Sequence, residues 1–263
     1  MTFRGRLKIT GLKSVSVLIG LPAYNESLSI PPLLAKIKLL SVVPGLDVHI
    51  ALFDDGSIDD TSLKFSEICN KESLQGNILG DGKNHGLGYG IRSIFDYYVH
   101  KTKFDYLVIM DCDDTHDPAQ IVQLIERAEN QQLDVVIASR YRKGSEIFGV
   151  SKLRQLISGV AGIYLRLLFP LSGIRDFTCG FRLYNRLSLE NLAKQTKNLY
   201  FKRDGFSCMP EIILRTHKAA FNIGEIPMIL GYDRKLSASK MKFLKNIREI
   251  LILGIQMRLN FEN

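Results

Sequence analysis

The sequence predicts an α/β fold built on a doubly wound, mostly parallel sheet, and three observations carry that expectation. Four short runs, residues 15–21, 48–53, 106–110 and 135–138, are apolar, rich in β-branched side chains, and stop at polar residues. Strands of this composition are buried on both faces, as they are in parallel sheets. Stretches of helical length and spacing stand between and beside them, at residues 28–40, 59–70, 87–99 and 118–130. Strands that alternate with crossover helices build a parallel sheet covered on both sides. Finally, three of the four runs open into turns that carry carboxylates or capping groups, the pattern of an α/β sheet whose strands end at one functional edge.

Two of these helices carry a start signal. Pro118 suits a first helical turn, and Asp59 or Asp60 suits an N-cap. Beyond residue 139 the alternation lapses. A long helix is expected over 153–169, a loop around 175–181, a helix over 207–219, a strand over 223–230 and a final helix over 240–259. Residues 155–174 are almost uncharged and so compete as a membrane span. Arg166 in their middle, Pro170 and three glycines favour a buried or surface-lying helix instead. Residues 1–232 are expected to form the main unit, and 233–263 a basic loop and terminal amphipathic helix of the same domain. In that helix Leu244, Ile247, Leu251, Ile255 and Leu259 make one apolar stripe.

Composition narrows the class. The chain has 263 residues, enough to bury a sizeable core, with 46% hydrophobic and 24% charged side chains. Cys69, Cys112, Cys179 and Cys208 lie far apart with no CxxC, which argues against a zinc site or a disulfide framework and for reduced thiols. Residues 1–13 are polar and basic with no apolar core, so no secretory signal is read there and a cytoplasmic setting is expected. The net charge of +8 is concentrated at the ends. Arg4, Arg6, Lys8 and Lys13 face no acid in the first thirteen residues, and residues 234–258 hold seven cations against Glu249 alone. The remaining 24 basic and 26 acidic side chains nearly balance. Such ends suit a phosphorylated ligand or an anionic membrane; a nucleic-acid partner is disfavoured by the acidic strand ends.

Those strand ends hold the chemistry. The first runs into Pro22-Ala23-Tyr24-Asn25-Glu26, the second into Asp54-Asp55-Gly56-Ser57, and the third into Asp111-Cys112-Asp113-Asp114-Thr115-His116-Asp117. An acidic rim repels phosphate unless a divalent cation lies between them, and Mg2+ or Mn2+ takes carboxylate oxygens while bridging a diphosphate. Asp111 and Asp113 offer two such carboxylates near one point.

Together these blocks resemble family 2 glycosyltransferases of the Rossmann-like GT-A fold. Asn84-His85-Gly86-Leu87-Gly88 is similar to that family's N-x-G-x-G element. Ser139-Arg140-Tyr141, Arg154-x-x-x-Ser158, residues 175–182, Glu225-Ile226-Pro227 and Arg234-x-x-Ser237-x-Ser239-Lys240-Met241 resemble the polyprenyl-phosphate branch typified by dolichol-phosphate mannose synthases. The resemblance spans roughly residues 15–242. It implies that Pro22, Tyr24 and Glu26 cradle the nucleotide and that Asp55 accepts a hydrogen bond from the base, with Asp54 ordering the turn. It further implies that Asp111 and Asp113 hold Mg2+ or Mn2+ and the donor diphosphate. Arg234 and Lys240 would meet the departing diphosphate, and Arg140, Arg154 and Ser158 would seat an acceptor phosphate. Asp176 would orient the acceptor site or brace Arg175 and Arg182, and His116 would pack the loop. Two departures stand out. Ser237 replaces the family's usual glycine, and Asp114-Thr115 follows Asp113 where an apolar residue and then Gln or Ser are usual.

The expected activity is inverting, metal-dependent transfer of a hexose from GDP-mannose or UDP-glucose to a polyprenyl phosphate, at a membrane surface or beside a membrane-anchored partner. Transfer to a sugar hydroxyl in cell-surface polysaccharide is the second reading and requires a carboxylate base, for which Asp176 and Glu211 are the candidates. A nucleotide-sugar-binding protein without turnover is the third.

Overall fold

The computed structural model describes residues 14–150, 152–236 and 243–261; of residues 152–158, 243–244 and 260–261 it describes the backbone alone. The strands among the described residues are β1 (Val15–Ala23), β2 (Leu46–Asp54), β3 (Gln75–Leu79), β4 (Tyr106–Ile109), β5 (Val135–Ser139), β6 (Glu146–Phe148), β7 (Arg182–Asn185), β8 (Ile223–Pro227) and β9 (Ile229–Gly231). Seven form the central sheet in the order β3-β2-β1-β4-β7-β5-β8, and β6 pairs with β9 apart from it. All neighbours run parallel except β7, which is antiparallel to both β4 and β5. The helices are α1 (Ile30–Lys38), α2 (Thr61–Glu72), α3 (Leu87–Lys101), α4 (Gln120–Gln131), α5 (Lys152–Leu168), α6 (Arg186–Thr196), α7 (Cys208–Lys218) and α8 (Phe243–Phe261).

The sheet is wound on both faces. Gly20 of β1 lies in register with Ala51 of β2, and a Cβ on Gly20 would stand 2.6 Å from Ile94 of α3. Gly76 of β3 pairs with Ile50, the neighbour of Ala51, and its Cβ would meet Phe65 and Cys69 of α2. Successive residues of a strand face opposite ways, so α2 and α3 cover opposite faces. Between those layers Val17, Ile19, Leu21, Leu52, Val108 and Ile137 are buried completely or nearly so.

The four expected strands are present, and the differences have local causes. β3 is a polar, exposed edge strand with no apolar run, and β7 begins with a charged residue, so neither is visible in the hydrophobic pattern. The expected strand over 223–230 breaks at Met228, whose N–H turns to Ser139 O (3.1 Å); β9 then leaves the sheet to pair with β6. Pro118 precedes its helix rather than opening it, with Asp117 accepting from the Ala119 N–H (3.0 Å). Asp60 occupies the α2 N-cap without a side-chain bond, while Asp59 accepts from the Thr61 N–H (3.1 Å). α6, unexpected from the sequence, starts where Asn185 accepts from the Ser188 N–H (2.8 Å). All four cysteines are free and buried, and burial pushes the Cys179 and Cys208 thiols up to about 12.

Arg182, the first residue of β7, is fully buried and pairs with no carboxylate among the described residues. Its guanidinium donates to the carbonyls of Met209 (2.8 Å) and Phe177 (2.9 Å), joining α7 and the 175–181 loop to the sheet. Each charge-assisted bond of this kind contributes about 1.5–3 kcal/mol, and its loss strands a buried carbonyl. Arg182→Ala should lower unfolding stability by about 3 kcal/mol or more in urea titration.

Candidate functional site

The carboxyl ends of β1 and β2 lie side by side, with Ala23 in register with Asp54. The turns beyond them are laced together: the Asp55 N–H donates to Ala23 O (2.9 Å), the Asn25 N–H to Ser57 Oγ (2.9 Å) and the Ile58 N–H to Asn25 Oδ1 (2.8 Å). Asp54 accepts from the Ser57 N–H (2.8 Å) and the Ser62 hydroxyl and orders this turn. Asp55 is buried, and its carboxylate accepts from the N–H groups of His85 (2.7 Å) and Gly86 (2.9 Å), so it anchors the Asn84–Gly88 element. Gly86 and Gly88 let that element press against the 203–204 backbone, where a Cβ on Gly88 would stand 2.0 Å from Arg203 O. Glu26 is buried at the start of α1, accepting from Ser29 Oγ (3.1 Å). Pro22 and Tyr24 are partly exposed at the same strand end.

Beyond β4 the acidic loop turns tightly around Asp113. Thr115 donates to Asp113 Oδ1 through both its N–H (3.2 Å) and its hydroxyl (2.6 Å), and the Lys235 ammonium pairs with the other oxygen. Asp114 adopts a left-handed conformation (φ +63°), and its buried carboxylate is clasped by Lys36 of α1 at 2.7 Å to both oxygens. The charge that departs from the family pattern is thereby neutralised, and Thr115 acts as a brace for Asp113. His116 accepts from the Asp111 N–H (3.1 Å) and stacks on Phe181 at 5.1 Å, the loop-packing position expected of it. Arg234 donates to Thr115 O (3.1 Å), so the basic loop and the acidic one are joined.

Desolvation tends to raise both acids of the pair, and their neighbours separate them. At Asp113 the Lys235 and His116 charges and the Thr115 hydroxyl overcome it and hold the carboxyl below its usual range. Asp111 is 44% exposed at its side chain but set deep in the edge; lost hydration, partly offset by His116 and reinforced by Asp113, raises it. Lys235, despite its own desolvation, is raised by Asp113.

Across the edge, Asp176 is fully buried and saturated. Its carboxylate accepts from the Arg140 N–H (3.0 Å), from Arg140 Nε (2.8 Å) and Nη2 (2.7 Å), and from the Thr178 (3.2 Å) and Cys179 (3.0 Å) amides. Desolvation would raise its pKa, and the Arg140 guanidinium more than reverses this. The expected brace between Asp176 and Arg175 or Arg182 is therefore replaced by one to Arg140, and Asp176 is a positioning residue with no proton-accepting capacity to spare. Glu211 is likewise committed, to Arg215 Nε (2.8 Å) and to the Lys202 (3.0 Å) and Arg203 (2.9 Å) amides. Neither candidate base is available. Glu225 accepts from the Arg175 (2.7 Å) and Asp176 (2.8 Å) amides and completes the frame.

Arg154 and Ser158 stand four apart on α5; their side chains lie outside the described residues, as do Ser237, Ser239, Lys240 and Met241. Gly162 continues that ridge, and a Cβ there would lie 3.8 Å from Tyr141, the neighbour of Arg140. Sequence reasoning missed Lys36 and Lys235. Lys235 adjoins Arg234 in an evidently basic loop, but nothing in the local pattern links Lys36 to a loop 78 residues away.

The donor set fits a divalent cation held jointly by protein and ligand. Among the described residues no cluster of three or more His, Cys, Asp or Glu could hold a metal alone. Asp111 and Asp113 supply two carboxylates, and Gly180 leaves room for one of them, since a Cβ there would stand 3.1 Å from Asp111 Oδ1. Mg2+ and Mn2+ complete such a shell with phosphate oxygens.

A mostly parallel sheet with an Asp-x-Asp loop at its carboxyl edge and arginines opposite defines a glycosyltransferase of the GT-A class. A family model described as "Glycosyl transferase family 2" matches residues 18–193, and the chain belongs to that family. It is 30% identical over 250 residues to a polyprenol monophosphomannose synthase of Mycolicibacterium smegmatis, covering 92% of this chain and 88% of that one. It is 29% identical to an undecaprenyl-phosphate mannosyltransferase of Micrococcus luteus, covering 86% and 87%. Glucosyl-3-phosphoglycerate synthase of Mycobacterium tuberculosis, solved with Mn2+ and UDP-glucose, shares the fold with a TM-score of 0.65 at 17% identity, over 93% of this chain and 79% of that one.

The Arg140–Asp176 pair has a pH signature. Because the folded pKa of Asp176 is depressed, its stabilisation is present above the unfolded value near 4 and is lost as pH falls through the folded value. Arg140→Met strands the buried carboxylate and should cost about 3–5 kcal/mol at pH 7. The deficit should begin to narrow above about pH 4, as the variant's Asp176, raised by desolvation once Arg140 is gone, takes up a proton. It should narrow further below about pH 4 as the wild type loses the pair, as followed by urea unfolding across pH.

Proposed function

We propose that the protein transfers a hexose from a nucleotide diphosphate sugar to a polyprenyl phosphate, with inversion at the anomeric carbon. The observation that carries this reading is the saturation of Asp176 and Glu211. A sugar hydroxyl needs a base to become a nucleophile, whereas a phosphate monoester, with its second pKa near about 6, is already anionic. The likeness to a polyprenol monophosphomannose synthase and an undecaprenyl-phosphate mannosyltransferase supports the same acceptor class.

In this reading Pro22 and Tyr24 border the nucleotide, and Asp55 and Glu26 hold the turns that shape its seat. Asp111 and Asp113 hold Mg2+ or Mn2+, which neutralises the diphosphate as it departs. Thr115, Lys36 and Arg234 fix the loop that bears these acids. Arg234 and Lys240 offer further positive charge to the leaving group, and Arg140, Arg154 and Ser158 seat the acceptor phosphate so that its oxygen attacks from the face opposite the diphosphate. With Asp176 and Glu211 saturated and Asp111 and Asp113 given to the metal, attack by the acceptor oxygen opposite the diphosphate is a single displacement, and configuration inverts. Mannose is the first choice of sugar and glucose the second.

Incubation with radiolabelled GDP-mannose or UDP-glucose, a short polyprenyl phosphate and Mn2+ should yield a labelled lipid. Asp113→Ala should abolish Mn2+-dependent donor binding by calorimetry, and Arg154→Ala should weaken acceptor use by roughly tenfold or more. Transfer to sugar hydroxyls but not to the lipid phosphate would refute the reading.

The acceptor's lipid tail requires a membrane surface. Among the described residues no helix is long and apolar enough to cross a membrane. α8 buries Ile250 and Leu253 against the protein, yet Leu251, Ile255 and Leu259 are exposed, as are Val160, Ile163 and Leu167 on its packing partner α5. Leu244 of the expected stripe lies outside the described side chains. Exposed Lys245 and Arg248 flank this face, each able to contribute about 1 kcal/mol on an anionic leaflet. It serves as the peripheral contact that brings the site to its acceptor. Replacing Ile255 and Leu259 together by Asp should abolish flotation with phosphatidylglycerol vesicles while leaving thermal stability nearly unchanged; undiminished flotation would refute this contact.

A further inference from the structure

A second group of cations gathers beside the Arg140–Asp176 frame, on residues assigned to neither the donor nor the acceptor seat. At the carboxyl end of the edge strand β8, Arg127 of α4, Arg142 and Lys143 beyond β5, and Arg175 surround a cavity of about 360 Å3 whose one carboxylate is Glu225. That carboxylate is already used: one oxygen accepts from the Arg175 and Asp176 amides and the other faces Arg142 Nε at 2.9 Å. Among the described residues Arg127, Lys143 and Arg175 make no ion pair, and the buried Arg127 Nε meets no acceptor.

Two of the guanidinium groups are held in place. Arg142 Nη2 donates to Gly173 O (2.7 Å), and Arg175 Nη1 to Tyr141 O (3.2 Å). Fixed guanidinium forks with free N–H groups match phosphate oxygens, and like charges gathered around one hollow repel until an anion enters. A net excess of three positive charges suits a phosphate dianion better than a carboxylate.

We propose that this cavity is a second anion site that binds a phosphate group, borne either by a soluble phosphate compound or by an anionic phospholipid headgroup. The site is linked to the acceptor side by a single carboxylate, since Glu225 also holds the Asp176 amide and Asp176 holds Arg140. The proposal does not rest on the hexosyltransfer reading.

The test uses the full-length protein and the double variant Arg127→Gln/Lys143→Gln, which touches none of the residues assigned to donor or acceptor. Calorimetric titration with inorganic phosphate at low salt should show binding to the wild type that weakens by roughly tenfold or more in the double variant. It should persist in Arg154→Ala, and Mn2+-dependent nucleotide-sugar binding should be unchanged in the double variant. A parallel flotation with phosphatidylglycerol and phosphatidylcholine vesicles separates the two sources. Loss of phosphate binding with unchanged flotation identifies a soluble compound, and loss of both identifies the lipid. Equal phosphate binding in wild type and double variant, or none in either, would show a merely solvated basic hollow and overturn the proposal. Loss of nucleotide-sugar binding in the double variant would also overturn it, by showing that the cavity belongs to the donor site.

Discussion

A carboxylate with no access to water organises one half of this molecule. Asp176 is sealed among the end of β5, the 175–181 loop and β8, and an ion in such a place is tolerable only when every lone pair is engaged. Arg140 supplies most of that engagement, so its guanidinium is not free to choose a rotamer. Glu225 secures the same loop from β8, and Arg182 fastens it from beneath to α7. The arginine assigned to the acceptor phosphate is therefore positioned by the folded core before any ligand arrives.

The other half solves the opposite problem. Its acids crowd into one loop, and their mutual repulsion is managed by cations from elsewhere in the chain: Lys36 from α1 for Asp114, Lys235 from the basic loop for Asp113. Asp114 sits in a left-handed turn, a conformation that a non-glycine residue keeps only when its surroundings enforce it. The Lys36 clasp supplies that enforcement. Arg234 and the β9 backbone, both bonded to Thr115 O, fasten the far side of the same turn.

Much of this was legible in the sequence. The four buried strands announce themselves because parallel strands covered on both faces must be continuously apolar, and the acidic turns that follow them mark the functional edge. β3 and β7 were hidden for complementary reasons, one because an exposed edge needs no apolar face, the other because its first residue is an arginine neutralised by carbonyls rather than by a patterned partner. At the site, Asp111, Asp113, Arg140 and Asp176 were recognisable from their order along the chain. What each does to its neighbours was not. The roles of Asp55 and Glu26 as internal anchors and of Thr115 as a brace depend on hydrogen bonds between segments that spacing does not relate.

β7 has a further consequence. Because it alone runs against its neighbours, its leading loop enters the same edge at which the parallel strands finish, between β4 and β5. Residues assigned to the donor all precede it in the chain except those on the basic loop, and residues assigned to the acceptor begin only after β5. The two specificities are thus written in successive stretches of the polypeptide, the donor's up to Asp113 and the acceptor's from Arg140 to Asp176, at the ends of β4 and β5, which the reversed strand separates within the sheet. A scaffold arranged in this way lets evolution exchange the recipient of the sugar by rewriting its second half, with the nucleotide end left as it is.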